Sequence, residues 1–470
     1  MTNELAWLDG HEIAALIRTR EIKPSEAVAA ALAQVSNHES QVNAFVTVLF
    51  EEAMSAAEQA DKRLMEIGAH ELPPLFGVPL TVKDLAPTAG VRTTFGSTAF
   101  ADHVPSEDSI SVGRLRGAGA ILIGKTTTPE FGMLGVTESA LTGITNNPWR
   151  LGFTTGGSSG GAAAAVAAGM APLAWGSDGG GSIRIPASYC GVVGLKPSMR
   201  WIPGDQPWDT AVTDGPLSRT VAGIALMLEV TAGFDPRSPH STPIARKDFV
   251  AATLAASPDL SGVRIAVAMT PSDGPVAAEV RAVVGAAVAR LAEAGAVVSE
   301  VRLDLPDPVE YFIDFWGPFF LAEDAPLPHP AMREVREAAG RVTLASYLHA
   351  STVTRGEITR VYNDVFRDHD FLITPTSPVA PFVHPGALGG ATHVDETEVR
   401  YPAIDFHRLT ESASHAGIPA ITVPAGSNSE GLPIGMQLHA PQHQDIELLR
   451  LARAWEQIAP WRQILPEFLR

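Results

Sequence analysis

The stretch from Gly156 to Pro186, GGSSGGAAAAVAAGMAPLAWGSDGGGSIRIP, constrains this chain more than any other. Four glycines surround Ser158 and Ser159, and Gly179, Gly180 and Gly181 run directly into Ser182. No charge occurs from Leu151 to Ser177; Asp178 and Arg184 then bracket Ser182. Glycine this dense reaches backbone conformations closed to other residues and lets amides approach another group closely. Two serines so presented, joined by small residues, read as a nucleophile site with its own anion-binding amides.

A chain of 470 residues is long enough to bury a large core around that stretch. Hydrophobic residues make up 45% and charged residues 18%, a globular rather than a disordered balance. A net charge of -18 argues against direct nucleic-acid binding, which needs a basic face, and against attraction to anionic membrane. Cys190 is alone, so no intrachain disulfide forms, and no Cys/His spacing suggests a metal site. MTNELAWLDG lacks a basic-then-apolar leader. Residues 162–177 are too short and too Gly/Pro-broken for a membrane span and read as a buried helix. The expectation is a soluble cytoplasmic protein, a monomer or homodimer without membrane attachment.

Asp9-Gly-His-Glu12 reads as a capping-box helix start, and Pro24-Ser25-Glu26 opens a second helix. Helices are therefore expected over most of residues 1–70. PLTVKDL (79–85) reads as a short strand containing Lys83, and AILIGKT (120–126) as a buried strand of the parallel kind. GVVGLKPS (191–198) reads as a strand, Arg200 to Pro216 as a long loop, and Thr220–Ala232 as a helix. The clearest helix is 276–294, with Val280, Val284, Ala287 and Leu291 on one face and Gly295 as its stop. Runs 265–268 and 297–301 on either side read as strands, whereas 305–345 reads as irregular and aromatic. Strands at 371–376, 419–426 and 433–441 alternate with helices at 403–415 and 445–458. This alternation predicts an α/β fold, one large domain with a sheet covered by helices on both faces.

Three motifs compete for the chemistry. Gly119 to Thr126, GAILIGKT, satisfies the P-loop pattern, but its intervening residues are themselves a strand. Amides engaged in a sheet cannot cradle phosphates, so Lys125 reads as structural. Gly156 to Gly160 contains G-x-S-x-G, the nucleophile elbow of α/β-hydrolases, which would make Ser158 the nucleophile of an esterase. That reading needs a strand before the elbow; NNPWR (146–150) is turn-like, and His407 and His415 have no supporting motif. In the third arrangement Ser182 attacks and the preceding glycine amides receive the anion. Its base would be Lys83, whose burial favours the neutral amine. Read alone, Lys83 is more often a solvated lysine at a strand end than a base.

GGSSGG…GSDGGGSIRIPAS resembles the amidase signature, with Ser158, Asp178, Ser182 and Arg184 at the expected places. FGVPLTVKDL, TTTPEFGMLGVTES, NNPWR, CGVVGLKPS, DGPLSRTV, FLITPT and AGIPAITVPAG…GLPIGMQLHAP resemble the family's other blocks, so the likeness spans nearly the whole chain. The resemblance implies hydrolysis of a carboxylic amide C–N bond without metal or cofactor. Ser182 would be the nucleophile, Ser158 the bridging serine behind a cis Gly157–Ser158 peptide, and Lys83 the base. The amides of Gly179, Gly180, Gly181 and Ser182 would form the oxyanion hole. Ser159, Asp178 and Arg184 would support it, and Gly132 and Met133 would lie at the substrate. Gly179 stands where the family more often has Thr or another side chain; Ala162 replaces Ser or Glu, and Thr155 replaces Pro.

The implied architecture is a single amidase domain over 1–470 with a central mixed, twisted β-sheet. N-terminal helices fill 1–70, the catalytic core 71–235, a more variable substrate-side region 236–400, and closing strands and helices 401–470. Trp201, Trp208 and the aromatic cluster at 312–320 are candidates to line an apolar pocket. That favours a small-molecule amide, apolar or aryl, with aryl esters or carbamates open to the same chemistry. The alternative within the family is an amidotransferase component of the A type, which acts on aminoacyl-tRNA beside a partner protein.

Overall fold

The computed structural model describes residues 2–204, 211–244, 248–322, 327–405, 407–461 and 466. After a short helix at Thr2–Leu5, a longer one begins where the capping box predicts. Glu12 N donates to Asp9 Oδ1 at 2.8 Å and Asp9 N donates back to Glu12 Oε2 at 3.0 Å, which starts α1, Gly10–Arg18. Pro24 opens α2, Pro24–Val42, and α3 is Phe50–Glu66. Between α2 and α3 lies an edge strand, β1, Phe45–Val48, which the sequence reading passed over.

Among the described residues eleven strands form one sheet. After β1 come β2 (Pro79–Lys83), β3 (Ile121–Thr126), β4 (Leu173–Asp178), β5 (Val193–Lys196) and β6 (Thr213–Ser218). Then follow β7 (Arg264–Val267), β8 (Val297–Glu300), β9 (Phe371–Pro375), β10 (Ala420–Ser427) and β11 (Pro433–His439). Their spatial order is β1-β3-β2-β4-β6-β5-β10-β11-β9-β7-β8. β2 pairs parallel with β3 and β4, and β7 with β8 and β9; antiparallel pairs make up the rest, so the sheet is mixed. The late strands β10 and β11 lie between β5 and β9, so no cut along the chain divides the sheet. It is one domain.

The helices that support the site are α4 (Gly160–Ala167), α5 (Arg184–Cys190), α6 (Val221–Thr231), α7 (Ala278–Glu293), α8 (Pro308–Ala322), α9 (Glu411–Ala416) and α10 (Asp445–Ile458). They cover both faces. Successive strand residues point to opposite sides, and β9 shows the result. Phe371 and Ile373 join a core with Val280, Val284 and Leu291 of α7 and Trp455 of α10, whereas Leu372 packs with Tyr311, Phe315 and Tyr362.

Four segments differ from the sequence reading. Residues 162–177, read as one helix, break into α4 and β4, with Gly169 at φ 70° after the helix. The run is uncharged throughout, so no shift in polar period marks the change. The segment Arg200–Pro216, read as loop, ends in β6, where Pro216 stands opposite Trp175. Neighbours on both flanks override the turn signal of Gly215-Pro216 there. Residues 305–345, read as irregular, hold α8 and a helix at Pro330–Ala339. Phe312, Phe315, Trp316, Phe319 and Phe320 in fact follow helical spacing, which continues through Gly317-Pro318 although that pair reads as a helix break. Finally, the helix expected at 403–415 is two short ones, Pro402–Asp405 and α9, flanking a turn that carries His407, Arg408 and Thr410.

Trp455 is 1% exposed and its Nε1 donates to Pro424 O at 2.9 Å. Trp455→Ala is expected to cost about 3–5 kcal/mol through lost burial and the cavity left behind. Chemical denaturation followed by far-UV circular dichroism checks it as a lowered midpoint.

Candidate active site

Lys83 is the last residue of β2, with strands on both sides, so its side chain is 1% exposed. Its Nζ donates to Ser158 Oγ at 2.7 Å and to Ser177 Oγ at 3.0 Å. Burial pushes the Lys83 amine down to about 7, although the carboxylates of Asp178 and Asp214 pull the other way. At neutral pH a large share of it is therefore uncharged. Ser158 is 2% exposed, and the peptide before it, Gly157–Ser158, is cis. A Cβ at Gly157 would lie 2.9 Å from the backbone of Leu134, Gly135 and Val136, so glycine is required. The two Gly–Ser clusters are tied directly: Ser159 N donates to Ser182 O at 3.0 Å. Ser159 Oγ also donates to Ser177 O at 3.3 Å.

The loop carrying Ser182 is shaped by a buried ion pair. Asp178 ends β4 and Arg184 begins α5, both 0% exposed. Arg184 Nε donates to Asp178 Oδ2 at 2.9 Å and Nη2 to Oδ1 at 2.7 Å. Burial works to raise the Asp178 carboxyl, yet the Arg184 guanidinium outweighs it and holds the group at about 2. The same carboxylate accepts from Gly181 N at 2.9 Å and Ile183 N at 3.1 Å. This corrects the expected set of four converging amides, because the Gly181 amide is already engaged. Gly181 sits at φ 126°, and a Cβ there would lie 2.1 Å from Thr410 Oγ1. The amides of Gly179, Gly180 and Ser182 have no acceptor among the described residues. Thr410 Oγ1 donates to Gly180 O at 2.5 Å and holds this loop from outside.

Above it lies a cavity of about 610 Å³. Lys83, Ser158 and Ser182 line it together with Gly132, Met133, Gly179 and Gly180. Two aromatic groups form its walls: Phe95, Phe100 and Phe131, and Phe312, Trp316, Phe319 and Phe320 from α8. The His407 ring lies parallel to Phe312, 5.7 Å between centroids. The sequence reading missed Phe95, Phe100, Ser177 as a partner of Lys83, and His407 as a wall residue. Phe131 was visible beside Gly132-Met133, and Ser177 beside Asp178; His407 carried no local signal.

Other candidates fall elsewhere. Trp201 is not a pocket residue: its Nε1 donates to His443 Nδ1 at 2.7 Å and its ring packs on Phe249 in the core. Trp208 lies outside the described residues. Phe315 turns away from the cavity toward Tyr311 and His415. Lys125 donates to Ala86 O, Thr88 Oγ1 and Thr93 Oγ1 at 2.6, 2.9 and 2.8 Å, which is a structural role. The elbow reading of Ser158 fails as well. The strand before it, Arg150–Thr154, pairs with Asn146–Asn147 in a hairpin outside the main sheet, and Ser158 is bonded to an amine rather than an imidazole. No helix among the described residues is long and apolar enough to cross a membrane.

Residues 26–449 match the amidase family. The chain belongs to that family. It is 36% identical to an acylamidase of Rhodococcus erythropolis over 475 residues, 98% of both chains. It is 35% identical to the A component of the glutamyl-tRNA(Gln) amidotransferase of Moorella thermoacetica, with 99% of both chains covered. Among solved structures, a bacterial aryl acylamidase of the amidase signature family superposes with a TM-score of 0.88 at 29% identity, covering 97% of each chain. The chain is thus an amide-hydrolysing enzyme.

Arg184→Ala would leave Asp178 charged and buried without its partner, at a cost of about 3–5 kcal/mol. Arg184→Lys should recover little, since an ammonium cannot make the paired bonds. Denaturation midpoints of the three proteins read both expectations.

Proposed function

We propose that this amidase is an acylamidase in which Ser182 attacks the amide carbonyl and Ser158 and Lys83 move the protons. The observation that carries this reading is the 2.7 Å hydrogen bond from Lys83 Nζ to Ser158 Oγ, buried at the floor of a cavity that Ser182 also lines. Neutral Lys83 takes the Ser158 proton as Ser158 takes the Ser182 proton. Ser182 Oγ bonds to the carbonyl carbon, and the π electron pair moves onto oxygen. The amides of Gly179, Gly180 and Ser182 receive that anion; a single donor of this kind is worth about 2.7–4 kcal/mol. As the anion collapses the C–N bond breaks, and the relay returns the proton to the departing amine. Water then attacks the acyl-enzyme by the same route, releasing the acid and restoring Ser182.

The aromatic walls favour small apolar or aryl amides, in keeping with the similarity to an acylamidase and an aryl acylamidase. Aryl esters and carbamates present the same carbonyl to Ser182. Similarity to an amidotransferase component supports a second reading, action on aminoacyl-tRNA beside a partner. A net charge of -18 disfavours direct contact with tRNA, and assaying amide formation on glutamyl-tRNA against anilide hydrolysis separates the two.

With a chromogenic anilide, Ser182→Ala should lower turnover by at least ~10³-fold, and Lys83→Ala nearly as much. A fluorophosphonate should label Ser182 and not Ser158, as peptide mass spectrometry reads. Lys83 acts as the neutral amine and is held at about 7, so kcat/KM should rise with pH through about 7 and then level off. A profile flat between about pH 5.5 and 9 would remove Lys83 as the base.

A further inference from the structure

A carboxyl group lies buried directly behind the cavity wall, and the Ser182–Ser158–Lys83 relay does not use it. Glu411, at the start of α9, is 2% exposed. Its Oε1 accepts from Trp316 Nε1 at 2.9 Å, and His415 Nε2 lies 3.5 Å from the same oxygen. Tyr311 OH in turn bonds His415 Nδ1 at 2.8 Å, and the His415 ring meets Phe315 and Trp316 edge to face. A polar group buried this deeply is costly unless it is hydrogen-bonded. An apolar residue there would leave the indole N–H without its acceptor. Burial pushes the Glu411 carboxyl up to about 8, against the pull of the indole bond, so at neutral pH it is largely an uncharged acid.

The bond fixes which edge of the indole reaches the reactive loop. An indole has one polar atom, and here that atom points away from the cavity. The benzo edge, Cη2 and Cζ2, is left 3.4 Å from where a Cβ on Gly179 would stand, with Val212 Cγ2 at 3.0 Å from the same point. Gly179 is one of the amides offered to the anion and has no side chain of its own. The dipeptide Thr410-Glu411 therefore acts on both parts at once: Thr410 Oγ1 bonds Gly180 O, and Glu411 bonds Trp316.

We propose that Trp316, held edge-on to Gly179 by Glu411, is the residue that sets acyl-group size, admitting compact flat acyl groups such as benzoyl and excluding long linear ones. Glu411 is the positioning residue for that ring. The inference rests on Ser182 chemistry at this cavity, and Ser182→Ala is the control that tests that reading separately. If Ser182→Ala keeps wild-type rates, the mechanism fails. If it is inactive while the Trp316 and Glu411 variants leave selectivity unmoved, only this inference fails.

The experiment compares kcat and KM for benzoyl- and octanoyl-p-nitroanilide in full-length protein, with fluorophosphonate labelling of Ser182 to count folded sites. Trp316→Ala should shift the benzoyl/octanoyl ratio of kcat/KM toward octanoyl by roughly tenfold or more, the order that a few methylenes command in an apolar pocket. Glu411→Leu should shift it the same way, mainly through KM for octanoyl. Glu411→Gln, which keeps an acceptor oxygen, should restore most of the wild-type ratio. Should Glu411→Leu fail to fold, Trp316→Phe reads the same bond, because it keeps a ring without the N–H. An unchanged ratio in Trp316→Ala overturns the proposal. A wild-type ratio in both Glu411→Leu and Trp316→Phe overturns the positioning role of Glu411.

Discussion

The guanidinium of Arg184 donates to Asp178, to Thr410 O, to Gln437 Oε1 and to Ser414 Oγ, and so fastens the Ser182 loop to two distant parts of the chain, the 410–414 segment and β11. Taking both charges out of water costs more than their attraction alone returns, unless the geometry and the remaining hydrogen bonds are good. Here each Asp178 oxygen also receives a backbone amide, from Gly181 or Ile183. A hydrophobic pair of equal volume would pack as well but would point no amide anywhere. The charge pair orders the glycine-rich loop, and among the described residues the amides of Gly179, Gly180 and Ser182 are left without an acceptor.

Burial alone does not select a base. Lys83, Lys125 and Lys196 are all sealed in the core, and burial lowers each of them, to about 7, 8 and 7. Their partners separate them. Lys125 is spent on three oxygens of the 86–93 loop, and among the described residues Lys196 bonds only Pro197 O, at 2.9 Å. Lys83 alone of the three lines the cavity, with a serine hydroxyl in reach. A similar electrostatic environment gives three different outcomes because the topology delivers different neighbours to each strand end.

Much of this was legible in the chain. The helix at 278–293 announces its buried face through Val280, Val284, Ala287 and Leu291, because one side is polar and the contrast is periodic. The same logic explains the failures. Residues 162–177 carry no charge at all, so a helix followed by a strand looks like one apolar run. The α8 aromatics keep helical spacing but have few polar residues between them to reveal it. At the site, Ser158 and Ser182 stand out in dense Gly–Ser motifs, whereas Lys83, ordinary when read alone, is named through the family resemblance of its segment. Trp316 is among the aromatics that the sequence offers as pocket residues, but His407 and Glu411 could not be placed, since their positions depend on a turn at 407–410 that meets α8 only in three dimensions. The Gly181 amide was miscounted for a related reason: sequence shows four consecutive donors but not the carboxylate that claims one of them.

The strand order has a consequence for biosynthesis. β11, which supplies Gln437 to Arg184, comes last in chain order among the eleven strands, yet it lies inside the sheet between β10 and β9. A nascent chain still on the ribosome holds both serines and the lysine long before it holds the strands that complete their surroundings. The serine loop therefore has its full set of anchors only once residues 433–439 have joined the sheet.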